Sequence, residues 1–172
     1  MPIIAKDNRK DFTPAPEGLH QAVCVDVVDL GMQETQWGPK QKVRIVWQIE
    51  AENPETKKPF QVQQQYTLSL NEKSTLRHHL EAWRGRKFTK DELEGFDLEK
   101  LIEANAQVQV THNIADNGGV WANVQAVVPL GKGMTKIRGK EYTRVKNRAE
   151  TQAHADADRE IAGNGSDDDI PF

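Results

Sequence analysis

Cysteine is nearly absent from this 172-residue chain: Cys24 stands alone, which excludes an intramolecular disulfide and a cysteine-based zinc site. No apolar run approaches the length that spans a bilayer, and the N-terminus lacks the basic-then-apolar pattern of an export signal, so a cytoplasmic protein is expected. Apolar residues make up 37% of the chain, low for a wholly globular protein, and part of it is therefore expected to lie outside any core. Charge is present in both signs but unevenly placed. Residues 132–148 hold seven bases against Glu141, a net of +6, and residues 149–172 hold seven acids against Arg159, a net of −6. The total of −3 hides these blocks and does not exclude a polyanionic partner.

Between the sparse features lies a regular pattern. Residues 1–18, with Pro2, Pro14, Pro16 and Gly18, read as an irregular N-terminal arm. A first strand is expected over residues 19–30, with Val23, Val25 and Val27 on one face, a phase shift at Val28 and Leu30 that implies a bulge, and an end at Gly31. A second over residues 42–51 puts Val43, Ile45, Trp47 and Ile49 inward, and a third over residues 60–70 does the same with Phe60, Val62, Tyr66 and Leu68. The period then becomes helical, with Asn71 as a plausible N-cap, Leu76, Leu80 and Trp83 in phase, and Gly85 as the stop. Thr89 and Glu92 form a capping-box pattern, and Asp97 is placed to cap a further helical stretch. Alternation returns over residues 106–114, with Val108, Val110 and Ile114 in phase. After the turn residues 116–119 it continues to residue 128, with Val120, Ala122, Val124, Ala126 and Val128 on one face. The order is three strands, a helical insert, then two strands. That predicts a mainly β fold, a five-stranded oligonucleotide-binding (OB) barrel with a helical insert between strands 3 and 4, over residues 19–131. A basic linker is expected over 132–148 and a disordered acidic tail over 149–172.

The tail ends in Asp167, Asp168, Asp169, Ile170, Pro171 and Phe172. Three adjacent aspartates stay solvated, while Pro171 disfavours helix at Ile170 and keeps Ile170 and Phe172 extended. This is a docking peptide for a small apolar pocket rimmed by Arg or Lys. The ending DDDIPF resembles the acidic tip by which bacterial and phage single-stranded DNA-binding proteins recruit replication, repair and recombination enzymes. With the barrel pattern beside it, the whole chain resembles a phage-type single-stranded DNA-binding protein, although the N-terminal strand pattern of the common bacterial form is missing. The resemblance implies single-stranded DNA as ligand, replication, repair or recombination proteins as partners at the tip, no cofactor, no metal and no membrane. It is compatible with a homo-oligomer in the cytoplasm or nucleoid of a bacterial host.

Holding single strands without reading sequence needs cations along the backbone path and flat side chains for stacking. An OB barrel offers the face of strands 2 and 3 and the loops joining strands 1–2 and 4–5. The first of these loops presents Trp37, followed by Lys40, Lys42 and Arg44. Trp37 is the stacking candidate, against the alternative of a lid on the core, and Lys42 and Arg44 either meet phosphates or form an ordinary charged surface. Gln61, Gln63 and Gln65 give strand 3 a polar outer face, with Gln63 central. Trp121 and Asn123 fall out of phase with the apolar side of strand 5 and are expected outward. Lys132 and Lys136 open the basic segment, which extends the DNA path, acts as a flexible counterion for the tail, or does both in turn, with the tail competing as a DNA mimic. Trp47, Tyr66 and Trp83 share phase with apolar residues and are assigned to the core. Catalytic patterns are weak. GKGMTK over residues 131–136 lacks phosphate-loop glycine spacing, His78 and His79 point apart on a helix, His112 fits a half-buried strand position, and Asp97 reads as a cap. No enzyme is expected. The rival readings are an OB-fold adaptor without strong DNA binding and, more distantly, a nuclease or strand-annealing enzyme.

Overall fold

The computed structural model describes residue 3, residue 5 and residues 13–148; most of the arm, the tail expected to be disordered, and its tip lie outside the described residues. Period-two alternation yields five strands, β1 (Gly18–Thr35), β2 (Gly38–Glu52), β3 (Pro59–Thr67), β4 (Asn105–Ile114) and β5 (Val120–Val128). They form one antiparallel sheet in the order β3-β2-β1-β4-β5. The outer strands β3 and β5 approach each other, so the sheet curls toward closure, and α1 (Thr75–Arg84) lies against both. This is the OB arrangement, with the helical insert between β3 and β4.

The curl begins in β1. It pairs with β4 only from Gly18 to Val23 and with β2 from Ala22 to Thr35, with irregularities between Cys24 and Asp26 and between Asp29 and Gly31. An extra residue bends a strand and reverses its phase beyond that point. Ala22, Cys24 and Val27 consequently pack into the main core, whereas Val23 and Val25 face the other way with Val46. The expected single face of Val23, Val25 and Val27 is thus divided by the bulge. Gly31 does not end the strand either. Its φ of +69° is left-handed backbone that glycine adopts without strain, its amide donates to Asp29 Oδ1 at 2.8 Å, and pairing continues to Thr35.

The core is built on Ile45, Trp47 and Ile49 of β2, Phe60, Val62 and Tyr66 of β3, Leu76, Leu80 and Trp83 of α1, and Val108, Val110, Val124 and Val127. Trp47 and Trp83 meet at 5.9 Å between ring centroids, and Trp83 Nε1 donates to the Asn105 carbonyl at 2.8 Å. Several expectations shift. Leu68 and Ile114 are exposed at the ends of the sheet. In β5 a bulge at Gln125 changes phase, so that Val127 is buried in place of Ala126 and Val128, and Val120 is exposed at the hairpin. Ser74, not Asn71, caps α1 by accepting from the Arg77 amide at 3.1 Å, while Asn71 caps the preceding turn at Lys73. The capping box of Thr89 and Glu92 starts α2 (Lys90–Glu94), and Asp97 accepts from the Glu99 amide to cap a 3-10 turn (Leu98–Leu101).

One histidine bridges the seam where the barrel closes. Burial lowers the pKa of His79 and holds the ring neutral, opposed by its bond to the Gln125 backbone. Nδ1 then accepts from the Tyr66 hydroxyl at 2.6 Å. A neutral imidazole with one acceptor and one donor nitrogen fits both partners. α1 is therefore tied to β3 through Tyr66 and to the β5 bulge through Gln125.

Candidate nucleic-acid interface

On β2 the residues that alternate with Val43, Ile45 and Trp47 point out of the barrel. Lys40, Lys42 and Arg44 stand in this row, with Val46 and Gln48 further along. Their neighbours across the ladder are Gln33, Gly31 and Val28 on β1, and on β3 Thr67 beside Lys42, Gln65 beside Arg44 and Gln63 beside Val46. The three cations recur at about 6.8 Å along the strand, a spacing of the order of successive phosphates in an extended single strand. Lys40, Gln61 and Gln63 are exposed, and Lys42, Arg44 and Gln65 are half-buried. The predicted cations and Gln63 thus come together on one face.

Trp37 sits at the tip of the β1–β2 hairpin, 78% exposed. Thr35 secures the turn beneath it: its hydroxyl accepts from the Trp37 amide at 3.1 Å and donates to the Gly38 carbonyl at 2.6 Å. The backbone is held while the indole stays open, which favours a platform over a lid. Trp121 and Asn123 point out of phase with Ala122 and Val124 but are only half-buried, neither open nor core. They stand on β5, opposite Asn113 and Thr111 of β4, apart from the β2 row in the sheet order. The Trp121 Nε1 is shielded and has no hydrogen-bond partner among the described residues.

The basic segment carries the largest departure from the sequence reading. Lys132 and Lys136 are exposed, but residues 135–145 are not a free linker. They run as a strap over the outer side of β1 and β2, where Ile137 and Tyr142 pack on Val23, Val25 and Val46. Asn105 exchanges two hydrogen bonds with the Ile137 backbone, at 2.9 and 2.8 Å, and Gln48 exchanges two with the Lys140 backbone, both at 2.7 Å. Between these clamps Gly139 lies flat on Val25; a Cβ there would come within 2.8 Å of Val25 Cγ1.

Asp26 locks the far end. It is 1% exposed and accepts from the Tyr142 hydroxyl at 2.7 Å, the Arg144 guanidinium at 3.0 Å and the Val145 amide at 2.9 Å. Arg144 also reaches Glu99 with two nitrogens, at 2.6 and 3.0 Å, and the Val27 carbonyl. Burial alone would raise the Asp26 pKa, but the Val145 amide, the Tyr142 hydroxyl and Arg144 outweigh it and hold the carboxylate below its ordinary value. Sequence reasoning passed over Asp26 and Gln48. Their signal was polarity within the otherwise apolar runs 23–28 and 45–49, where a buried polar group must have a partner.

Among the described residues no group of three metal-ligating side chains occurs. Burial pushes the Cys24 thiol up to about 12, which makes it a poor nucleophile. GKGMTK leads into the strap, not a helix, so it lacks the helix N-terminus on which a phosphate loop depends. His112 is half-buried and bonds the Ala15 carbonyl through Nε2 at 2.5 Å. No described helix is long and apolar enough to cross a membrane. No protein-family model matches the chain, and a search of curated proteins finds no similar sequence.

Proposed function

We propose that this protein binds single-stranded DNA without reading its sequence, protects strands exposed in replication, recombination and repair, and recruits enzymes of those processes through residues 167–172. It acts in the cytoplasm or nucleoid of a bacterial host and performs no catalytic step itself. The observation that carries this reading is the open face of β2 and β3, where Lys40, Lys42 and Arg44 run beside Gln63 and Gln65 and end at the exposed Trp37. Cations in a row follow a phosphate backbone regardless of sequence, and an open indole accepts any base that is free to leave its stack. Glutamine both donates and accepts, so its contacts tolerate every base. Duplex bases are already stacked inside the helix and gain nothing from Trp37.

Titrating intrinsic tryptophan fluorescence with oligothymidine tests the reading. Quenching should saturate at much lower concentration than with duplex of equal length. Equal affinity for duplex, or no quenching at any ionic strength, would end it.

A further inference from the structure

The anchors of the strap are its backbone at residues 135, 137, 140 and 145 and the side chains of Ile137, Tyr142 and Arg144. The side chains of Lys136, Arg138 and Lys140 take no part in docking. All three are exposed, and none has an acidic partner within salt-bridge distance among the described residues. The strap crosses β2 at Gln48, on the same outer face as Arg44, four residues away, or about 13 Å along the strand. Lys140 therefore continues the line of Lys40, Lys42 and Arg44 along β2, and Arg138 and Lys136 lead on from it across β1 toward Asn105 of β4.

A DNA strand following that row meets the strap, and either passes along it or displaces it. Displacement would strip Asp26, an ionised and nearly inaccessible carboxylate, of a hydroxyl, a guanidinium and an amide at once, and an unpaired buried charge is strongly unfavourable. It would also open both amide clamps and uncover Val23, Val25 and Val46. Passage along the strap requires none of this. A docked strap has already lost the conformational freedom that a loose basic linker would lose on binding.

We infer that the docked strap is one wall of the single-strand path, with Lys136, Arg138 and Lys140 continuing the phosphate contacts of Lys42 and Arg44, and that Asp26 is the positioning residue that holds it there. The inference rests on the single-strand reading above. It assigns the segment to a longer nucleic-acid path and not to a counterion for the tail.

The experiment is an oligothymidine titration of the full chain at several salt concentrations. Wild type reports on the single-strand reading itself, and absence of binding overturns both. Given binding, the triple substitution Lys136→Gln, Arg138→Gln, Lys140→Gln keeps every anchor, and the log–log salt slope should become shallower by about 2, near 0.7 for each phosphate no longer neutralised. An unchanged slope overturns the wall. Arg144→Gln keeps the three cations but breaks the latch, and should weaken binding about tenfold with a shallower slope, since loose cations meet phosphate less fully. Affinity and slope equal to wild type overturn the positioning role of Asp26. Amine labelling of wild type is independent of whether Arg144→Gln folds. Oligothymidine should protect Lys136 and Lys140 as well as Lys42; if Lys42 alone is protected, the strap lies outside the path.

Discussion

Under the proposed function, two tryptophans of one sheet separate binding from stability at the scale of the residue. Trp47 is fully buried against Trp83 and Trp37 is open at a hairpin tip. Trp47→Ala should cost roughly 3 to 5 kcal/mol of stability through the cavity it leaves. Trp37→Ala should leave the melting temperature essentially at the wild-type value and remove about 1 to 3 kcal/mol of oligothymidine binding. Thermal melts and titrations of the two variants check this together; loss of stability without loss of affinity in Trp37→Ala would reverse the assignment. Two titrating groups set a pH dependence of the same sign. His79 and Asp26 both have folded pKa values below their ordinary ones, so the unfolded chain binds more protons and stability falls with acidity. The His79 contribution is complete above about pH 6.5 and is lost as pH drops through its lower folded value; that of Asp26 is complete above about pH 4 and is lost below it. Melting temperature followed from neutral into acidic solution should decline in two stages, and His79→Gln should flatten the upper one.

At the scale of the element, the strap behaves unlike the strands. Strands are held by ladders, whereas the strap is held by two amide clamps, a small apolar patch and one carboxylate. Gly139→Ala brings a methyl within 2.8 Å of Val25 Cγ1, closer than packing allows, and should lift the middle of the strap while leaving the barrel folded. Limited trypsin digestion should then cut after Arg138 or Lys140 faster than in wild type, with far-ultraviolet circular dichroism unchanged. Equal cleavage rates would mean that the strap is not seated on Val25. α1 gives a smaller effect. Ser74→Ala removes the cap at the Arg77 amide and should cost about 1 kcal/mol in a denaturant melt.

The whole molecule is organised by charge. The +6 segment over residues 132–148 is followed directly by the −6 segment over residues 149–172, and the last anchored residue of the strap, Val145, lies against Asp26 of β1. Deleting residues 167–172 removes three aspartates and the proposed docking group. Thermal stability should not change, and oligothymidine affinity should stay equal or rise, because a tethered polyanion competes at high effective concentration. Phe172→Ala should keep wild-type DNA affinity and lose capture of replication and repair enzymes. Abolished DNA binding in the deletion, or undiminished capture by Phe172→Ala, would remove the tip from its recruiting role.

Alternation in β2, β3 and β4 was legible because the barrel buries one face of each strand, so the period of two is written directly in Val43, Ile45, Trp47, Ile49 and in Val108, Val110. The capping box at Thr89, the turn at residues 116–119, and the cations and Trp37 of the first hairpin were legible for a related reason, since each depends on neighbours in sequence. The phase of β1 was legible only in part, since the bulge expected at Val28 and Leu30 is present between Asp29 and Gly31 but the one at residue 25 was not foreseen, and the phase of β5 was not legible. Bulges at residue 25 and residue 125 answer to the curvature needed to bring β3 and β5 together, and curvature belongs to the closed sheet. The strap was the least legible element. Its composition is that of a solvated basic linker, and its order comes from Asn105, Gln48 and Asp26, which lie between 32 and 119 residues from the groups they hold. Sequence alone determined which side chains carry charge and which strands form; tertiary structure decided that a polar segment would be built into the face it crosses, because buried polar groups on that face required partners.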